Sequence, residues 1–528
     1  MWPPGIAARA RAVSRRPTAA ARLLNASFAC SPRAQALLLN DTYAKAYKGK
    51  MLVRFDDTNP SKEKDEFEEA ILKDLTSLGV EYASISHTSD HFDHLEGVAR
   101  AMIAAGNAYM DDTPREEMQR QRGAREECAA RGASPAENLA RFELMLAGGP
   151  AGAPWCLRAK LNMADDNGTC RDPVLYRCNE TPHHRTGTRY RAYPTYDFAC
   201  PVVDALEGVT HAMRSSEYHD RDEQYYRLAA LLGLRKVIIA DFARLNFAYT
   251  LLSKRKLAWF VDNKRVEGWD DARFPTVQGI LRRGVVVPAL REFILLQGAS
   301  KRETEMEWDK FWAINKKHLD PVAPRYTALP AAGLVRLALA GAPPREYRTQ
   351  PLHAKNADCG VKSVLYTPSV LLDAADAAAI ADGEEVTLMK WGNVRGVRRD
   401  AGGGGLAGEL NVAGDPKSTE KKLTWLPDGD ADDTVPFTLV EFDFLIKTPS
   451  LDEHADFQAA LNPVTRRDTP LLGEPAMRTL QAGDIIQLER RGYVRCDRAF
   501  ISHDRPGVLF LIPDGKTRGL ANLGGPAA

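Results

Sequence analysis

The chain has 528 residues, 44% hydrophobic and 27% charged, which is the make-up of an ordinary globular protein but too long for one core, so about two to four domains are expected. Seventy-one basic against 70 acidic residues leave a formal charge of +1, which excludes nucleic-acid binding through the overall field and assigns any such contact to local patches. No apolar run reaches the roughly 18 residues of a membrane-spanning helix, and the eight cysteines include no Cys-x-x-Cys pair, so no zinc knuckle or redox motif is signalled and a reducing compartment fits.

Residues 1–33 form a basic Arg/Ala-rich segment. Arg9, Arg11, Arg15, Arg16, Arg22 and Arg33 occur with no Asp, Glu or Lys before residue 41, a composition like that of an organellar transit peptide, with a disordered tail as the plainer reading. Ala34–Tyr47 reads as a helix and Lys50–Phe55 as a strand. Asp56-Asp57-Thr58-Asn59-Pro60 then makes a turn at the strand's carboxyl end, where open α/β sheets bind ligands. Taken alone, that turn is equally the cap of a helix over Glu63–Leu78, whose Phe67, Ile71, Leu72 and Leu75 share one face. A further helix is expected over Phe92–Gly106. The alternation argues an α/β doubly wound fold, with residues 34–109 as its first half. Residues 110–192 interrupt it: polar, helical to about Leu146, broken at Gly148-Gly149-Pro150, and then basic with interleaved aromatics, which suits either a nucleic-acid surface or a solvated lobe.

Residues 193–256 complete the α/β region. Tyr193-Pro194-Thr195-Tyr196-Asp197-Phe198 opens it, Asp204-Ala-Leu-Glu207-Gly208-Val-Thr-His211 follows with Arg214, Ser215 and Ser216, and Lys236–Ile239 reads as a buried strand. Arg244-Leu245-Asn246 and Leu252-Ser253-Lys254-Arg255-Lys256 end it. The last is a run of cations that by charge alone is a solvated surface. Residues 257–330 read as a helical connector containing Val266-Glu267-Gly268-Trp269-Asp270-Asp271-Ala272-Arg273-Phe274-Pro275-Thr276. Residues 331–528 read as a β-barrel region: beyond Pro351 the texture is short strands, such as Val386–Lys390, Lys421–Trp425 and Asp484–Glu489, with a hairpin tip at Gly402–Gly405.

In this order the pieces resemble consecutive landmarks of the class I aminoacyl-tRNA synthetases of the glutamyl/glutaminyl subgroup. His353-Ala-Lys355-Asn356-Ala-Asp358, Trp391-Gly392-Asn393, Gly483-Asp484-Ile-Ile-Gln487 and Ile512-Pro513-Asp514-Gly515 resemble the anticodon-binding barrels of its eukaryotic cytosolic type. The resemblance implies a Rossmann-type catalytic domain, an inserted acceptor-stem domain over 110–192, a helical connector and carboxyl-terminal anticodon-binding barrels. It implies ATP-dependent activation of L-glutamate to glutamyl-adenylate and transfer to the 3′ end of tRNA(Glu), as a glutamate–tRNA ligase. ATP enters with Mg2+ as substrate, without a tightly bound cofactor or protein-held metal.

Such chemistry builds charge on phosphates and needs aimed cations. Ser253 and Lys254 match positions that hold the triphosphate, and Arg255 shares their loop. Ser215, Arg244, Leu245 and Leu252 match positions around ATP. Asp56 and Tyr196 match the α-ammonium site, and Arg214 matches the position that pairs with the γ-carboxylate, because a guanidinium fork has nothing to accept from an amide. Ile239 stands where glutaminyl members carry a Gln. His211 is given no catalytic role. The resemblance further implies cytoplasmic residence, or a mitochondrion or plastid if the first segment is a transit peptide. It implies no membrane and leaves association with other synthetases or scaffold proteins open.

One landmark is missing. The family opens with a strand and then His-Ile-Gly-His at a helix start. Counting back from Leu38-Leu39-Asn40-Asp41, those four positions fall on Cys30-Ser31-Pro32-Arg33, and the first histidine of the chain is His87. Two imidazole donors and the leading strand are therefore expected to be absent. Two alternatives stay in view: a glutaminyl enzyme, the rival within the class, against which Arg214 and Ile239 argue, and a catalytically impaired tRNA-binding protein, whose only support is the missing histidines.

Overall fold

The computed structural model describes residues 18–24, 30–61, 65–298, 304–399, 404–451 and 456–516. Most of the Arg/Ala-rich segment, together with Gly402 and Gly403 of the expected hairpin tip, lies outside the described residues. The chain divides into two units: residues up to 246 with 252–254 and 294–305, and residues 247–251, 255–293 and from 306 onward.

The first unit is built on a five-stranded parallel sheet of β1 (Thr18–Leu24), β2 (Lys50–Asp56), β3 (Ser84–His87), β8 (His211–Ser215) and β9 (Ile238–Phe242), in the order β3-β2-β1-β8-β9. β2 carries a near-continuous apolar run, as a strand covered on both faces must, with Met51, Val53 and Phe55 buried. The chain steps outward from β1 to β2 and β3 in one direction and from β8 to β9 in the other. A crevice therefore opens at the carboxyl ends between β1 and β8, which is where such sheets take ligands.

The leading strand is present, contrary to the expectation from residues 30–33. β1 pairs with β2 from Thr18↔Lys50 to Leu24↔Asp56 and with β8 at Ala19↔His211 and Ala20↔Ala212. A central parallel strand is held by its backbone ladder on both sides. Thr-Ala-Ala-Ala-Arg-Leu-Leu can fill that place although Ala has low intrinsic strand preference, and this hid it in the sequence. The helix after β1 runs from Cys30 to Ala46, so positions 30–33 head it, ahead of the predicted start at Ala34.

Other elements follow their prediction closely: helices Asp65–Ser77 and Phe92–Ala104, and β9 starting at Ile238 rather than Lys236. Between the two halves, β4 (Ala108–Asp111), β5 (Cys156–Ala159), β6 (Val174–Cys178) and β7 (Ala192–Pro194) form an antiparallel sheet. The sequence predicted a helix to Leu146; the structure has two, Arg115–Ala124 and Pro135–Ala147. Pro135 at the first helical position behind a Ser134 cap that accepts from Glu137 N explains the second start.

The Asp-x-x-Glu-Gly landmark has a structural role. Arg54, 3% exposed, donates through Nη2 to Asp204 Oδ1 and through Nη1 to Glu207 Oε2, each at 2.5 Å. Ser86 donates to Glu207, and Tyr225 Oη donates to Asp204 at 2.8 Å. Gly208, with φ +73°, ends helix Tyr196–Leu206 in the left-handed region while Val209 N returns to Asp204 O, a closure that favours glycine.

Burial pushes the Glu207 carboxyl up, but His91, Arg54 and Ser86 outweigh it and hold the pKa at about 2. A depressed carboxylate contributes stability above its unfolded pKa of about 4.3, and that contribution is lost as pH falls from there toward 2. Glu207→Gln should therefore cost roughly 1.5–3 kcal/mol at pH 7. Thermal midpoints of the two proteins should converge as pH is lowered from 6 toward 3, and a gap that stays constant over that range would contradict the assignment.

The second unit holds helix Lys254–Asp262 from Arg255 on, helices Val277–Arg282 and Trp308–Leu319, and two seven-stranded barrel-like sheets. One contains Arg325–Tyr326, Ala328–Pro330, Val435–Phe442, Arg466–Gly473, Ile485–Leu488, Gly492–Arg498 and Gly507–Ile512; the other lies wholly within Val335–Pro427. The second sheet is thus inserted into the first, and strand structure begins at Arg325, ahead of the expected boundary at 331. Each sheet has its own core, one around Leu337, Val370, Leu388 and Val394 and the other around Val435, Met477, Leu488 and Val494. Their hairpins correspond: Gly383, Lys390 and Gly483, Arg490 all take positive φ, before Gly392 and Gly492. This duplication at a spacing of 100 residues is readable from the sequence, yet pattern-reading along the chain passed over it.

Candidate active site

The parallel sheet brings one acidic and one basic residue to the carboxyl ends of β2 and β8, which flank β1. Asp56 is the last residue of β2, and Arg214 stands near the end of β8, in register with Asp241 on β9. The two acids of the Asp56-Asp57 turn are not equivalent. Asp57 is fully buried and bound into the frame: its Oδ1 accepts from Ser89 N at 2.8 Å, and its backbone O accepts from His183 Nε2 at 2.7 Å. Asp56 sits at the carboxyl end of β2, where burial, outweighing the hydrogen bond from Thr58 and helped by the charge of Asp57, pushes its carboxyl up to about 6. A buried acid raised in this way is stabilised by an arriving ammonium group.

Tyr196 begins helix Tyr196–Leu206, and its ring lies 5.9 Å from that of Tyr218. Burial raises the Tyr218 hydroxyl, and Arg221, Asp197, Glu217 and Asp56 act on it as smaller influences. Sequence reasoning missed Tyr218; its place in Ser216-Glu217-Tyr218, directly after Arg214 and Ser215, was the available signal.

Arg214 is 7% exposed. Its guanidinium stacks on the Tyr225 ring at 4.9 Å, donates through Nη2 to Cys200 Sγ at 3.5 Å, and has Asp222 Oδ1 at 3.5 Å from Nη1. Its Nε is buried and makes no hydrogen bond among the described residues. Burial pulls the pKa down, but Tyr196, Cys200, Asp222 and Tyr225 outweigh this, so it stays charged and moves above the usual range. A buried cation with one long acid contact and an unused donor is built to receive an anion. Cys200, Ala212 and Tyr225 pack in one cluster with Tyr196 and Ile239, so the wall beside the guanidinium is apolar and aromatic. Ile239 N donates to Tyr226 Oη at 3.1 Å, and the Ile239 side chain offers no polar atom there.

Around the nucleotide positions, Ser215 closes β8. Arg244 Nη1 donates to Glu217 Oε1 at 2.9 Å, and Leu245 N donates to Gln35 Oε1 at 3.2 Å. Gln35, 1% exposed, also donates to Ala243 O at 2.9 Å and so ties the first helix to the segment after β9, another residue the sequence reading missed. Leu252 and Ser253 are half-buried in coil, Lys254 opens helix Lys254–Asp262, and Arg255 is exposed. The structure thus brings Tyr196 into the cluster beside Arg214 and sets Asp56 at the carboxyl end of another strand of the same sheet, while Ser253, Lys254 and Arg255 pass from coil into a helix. His211 is a core histidine: it is 2% exposed, pairs Nδ1 with Thr210 Oγ1 at 2.9 Å, and burial lowers its pKa.

Residues 33–321 match the family described as tRNA synthetases class I (E and Q), catalytic domain. Residues 323–412 and 422–497 match its two anti-codon binding domains. The chain is 50% identical over 488 residues to a cytoplasmic glutamate–tRNA ligase of Arabidopsis thaliana, covering 92% of this chain and 68% of that one. It is 48% identical over 486 residues to the cytoplasmic glutamate–tRNA ligase of Saccharomyces cerevisiae, with 92% and 68% covered. It is 45% identical over 501 residues to a bifunctional glutamate/proline–tRNA ligase of Cricetulus griseus, covering 93% of this chain and 33% of that one.

Proposed function

Because this chain belongs to the class I tRNA synthetases of the E and Q group, we propose that it is a glutamate–tRNA ligase, which activates L-glutamate with ATP and transfers it to tRNA(Glu). The observation that carries the choice of glutamate is the buried, under-partnered guanidinium of Arg214 at the carboxyl end of β8. A γ-carboxylate can take two parallel hydrogen bonds from it, whereas a γ-amide would turn donors against donors. Asp56 and Tyr196 receive the α-ammonium. Ser215, Arg244, Leu245 and Leu252 border ATP, which enters with Mg2+ as substrate. Ser253, Lys254 and Arg255 hold the triphosphate and follow charge onto the leaving pyrophosphate, a task suited to the compact ammonium of Lys254 on its flexible stem.

The anticodon-binding matches at 323–412 and 422–497 support tRNA as the acceptor, with residues 110–192 gripping the acceptor stem. Cytoplasmic residence is supported by the names of the relatives. The bifunctional relatives, which join two ligase activities in one chain, support association with other synthetases.

The test is ATP–pyrophosphate exchange with tRNA present. Glutamate should support it and glutamine should not, and equal use of both would overturn the reading. Lys254→Ala should lower exchange by roughly 10²–10³-fold, the usual effect of losing one aimed donor at a developing charge, with an unchanged thermal midpoint. Full exchange in that variant would remove Lys254 from the phosphate site.

A further inference from the structure

We propose that Asp222 is a positioning residue for the substrate side chain, holding Arg214 as a displaceable counterion and taking up a proton when the γ-carboxylate arrives. This rests on Arg214 being the γ-carboxylate partner.

The geometry is that of a loose, crowded acid. Asp222 lies in the first turn of helix Asp222–Leu231. Its Oδ1 is 3.5 Å from Arg214 Nη1, longer than the roughly 2.7–2.9 Å of a committed charged hydrogen bond. Substrate can therefore displace it without breaking a strong contact. Asp241, in register with Arg214 on β9, is a second acid whose negative charge acts on Asp222. His219, in the turn Ser216–Arg221, places Nδ1 2.7 Å from Asp241 Oδ2 and 3.6 Å from Asp222 Oδ2. Tyr225 of Asp222's own helix and Tyr196 and Cys200 of helix Tyr196–Leu206 surround the same guanidinium. A substrate γ-carboxylate would be a third acid at this point, and like charges so close do not all stay ionised.

Without substrate, burial and the Asp241 charge already push Asp222 up to about 6, against the opposing pull of Arg214 and His219. A further negative charge raises it again. The proton comes from solvent onto an Asp222 carboxylate oxygen, and no substrate bond changes. The sign follows: glutamate affinity is highest below the substrate-free pKa and falls as pH rises through the interval between the free and bound values, by up to about tenfold per pH unit.

Calorimetric titration of L-glutamate into the full chain at pH 7, in two buffers of different ionisation enthalpy, counts the protons taken up. The wild type should take up at least about half a proton more per glutamate than Asp222→Asn, whose affinity should vary less between pH 6 and 8. Asp56, also raised by burial to about 6, responds to the α-ammonium equally in both proteins and cancels in the difference. L-glutamine, titrated at the much higher concentrations its weak binding requires, brings the same α-groups without the γ-charge and should take up fewer protons than L-glutamate in the wild type; this reading survives even if the variant fails to fold. Equal proton counts for the two proteins would overturn the proposal. So would a folded Asp222→Asn protein that has lost glutamate binding, since Asp222 would then be needed as an anion. A wild type that binds no glutamate overturns the Arg214 assignment itself, and the two failures are thereby distinguishable.

Discussion

Replacing Cys30-Ser31-Pro32-Arg33 with His-Ile-Gly-His, as C30H, S31I, P32G and R33H together, should raise ATP–pyrophosphate exchange by about 10²-fold or more. These four residues head the helix Cys30–Ala46, directly after the central strand. A helix start offers its dipole to phosphate whatever its side chains are, but the dipole alone lacks the two imidazole donors that the resemblance places there. Each aimed donor at a developing charge is worth roughly 2.7–4 kcal/mol. Because β1 already pairs with β2 and β8, the four substitutions suffice, and no strand has to be rebuilt. The measurement is exchange with saturating glutamate and tRNA, beside thermal midpoints of both proteins. If the chain as written already turns over as fast as the substituted one, the imidazoles are dispensable here and the idea fails.

Arg214→Cys should lower kcat/KM for glutamate by about 10²–10³-fold or more, because leaving a buried charged group without its partner costs roughly 3–5 kcal/mol. The alternative role for Arg214 is a prop for its own loop, and by sequence spacing its partner there is expected to be Glu217 or Asp220. The structure corrects that pairing: Glu217 binds Arg244 at 2.9 Å, and the acid beside Arg214 is Asp222. Asp222, already raised to about 6 by burial and Asp241, can accept a proton when the guanidinium is removed, so folding should suffer less than catalysis. Loss of glutamate use at a nearly unchanged midpoint therefore marks a ligand, and a collapsed midpoint with the glutamate preference kept marks a prop. Glutamine use is not expected to appear in the single variant, since Ile239 offers no amide. R214C with Ile239→Gln is the fairer test of a specificity switch, because Ile239 packs in the same cluster as Tyr196 and Cys200.

The sequence by itself determined the α/β class and the order of the family's landmarks. Asp56 at a strand end, Arg214 after a buried run and the cations at 254–256 are local facts, fixed by residue type, order and spacing, and the parallel alternation followed from periodicity. Tertiary structure decided what depends on a partner far along the chain. Thr18–Leu24 is a strand because β2 and β8 flank it, and no pattern within seven weakly strand-forming residues records that. Asp204 and Glu207 grip Arg54 some 150 residues earlier, so this landmark braces the sheet, a role that no local pattern records. The nested barrels share the cause: strands at 325–330 complete a sheet whose other members begin at Val435, and a linear reading sees only the intervening distance. Asp222 comes to lie beside Arg214, and Tyr218 beside Tyr196, for the same reason, since a side chain's neighbours are set by which other chain segments converge on it.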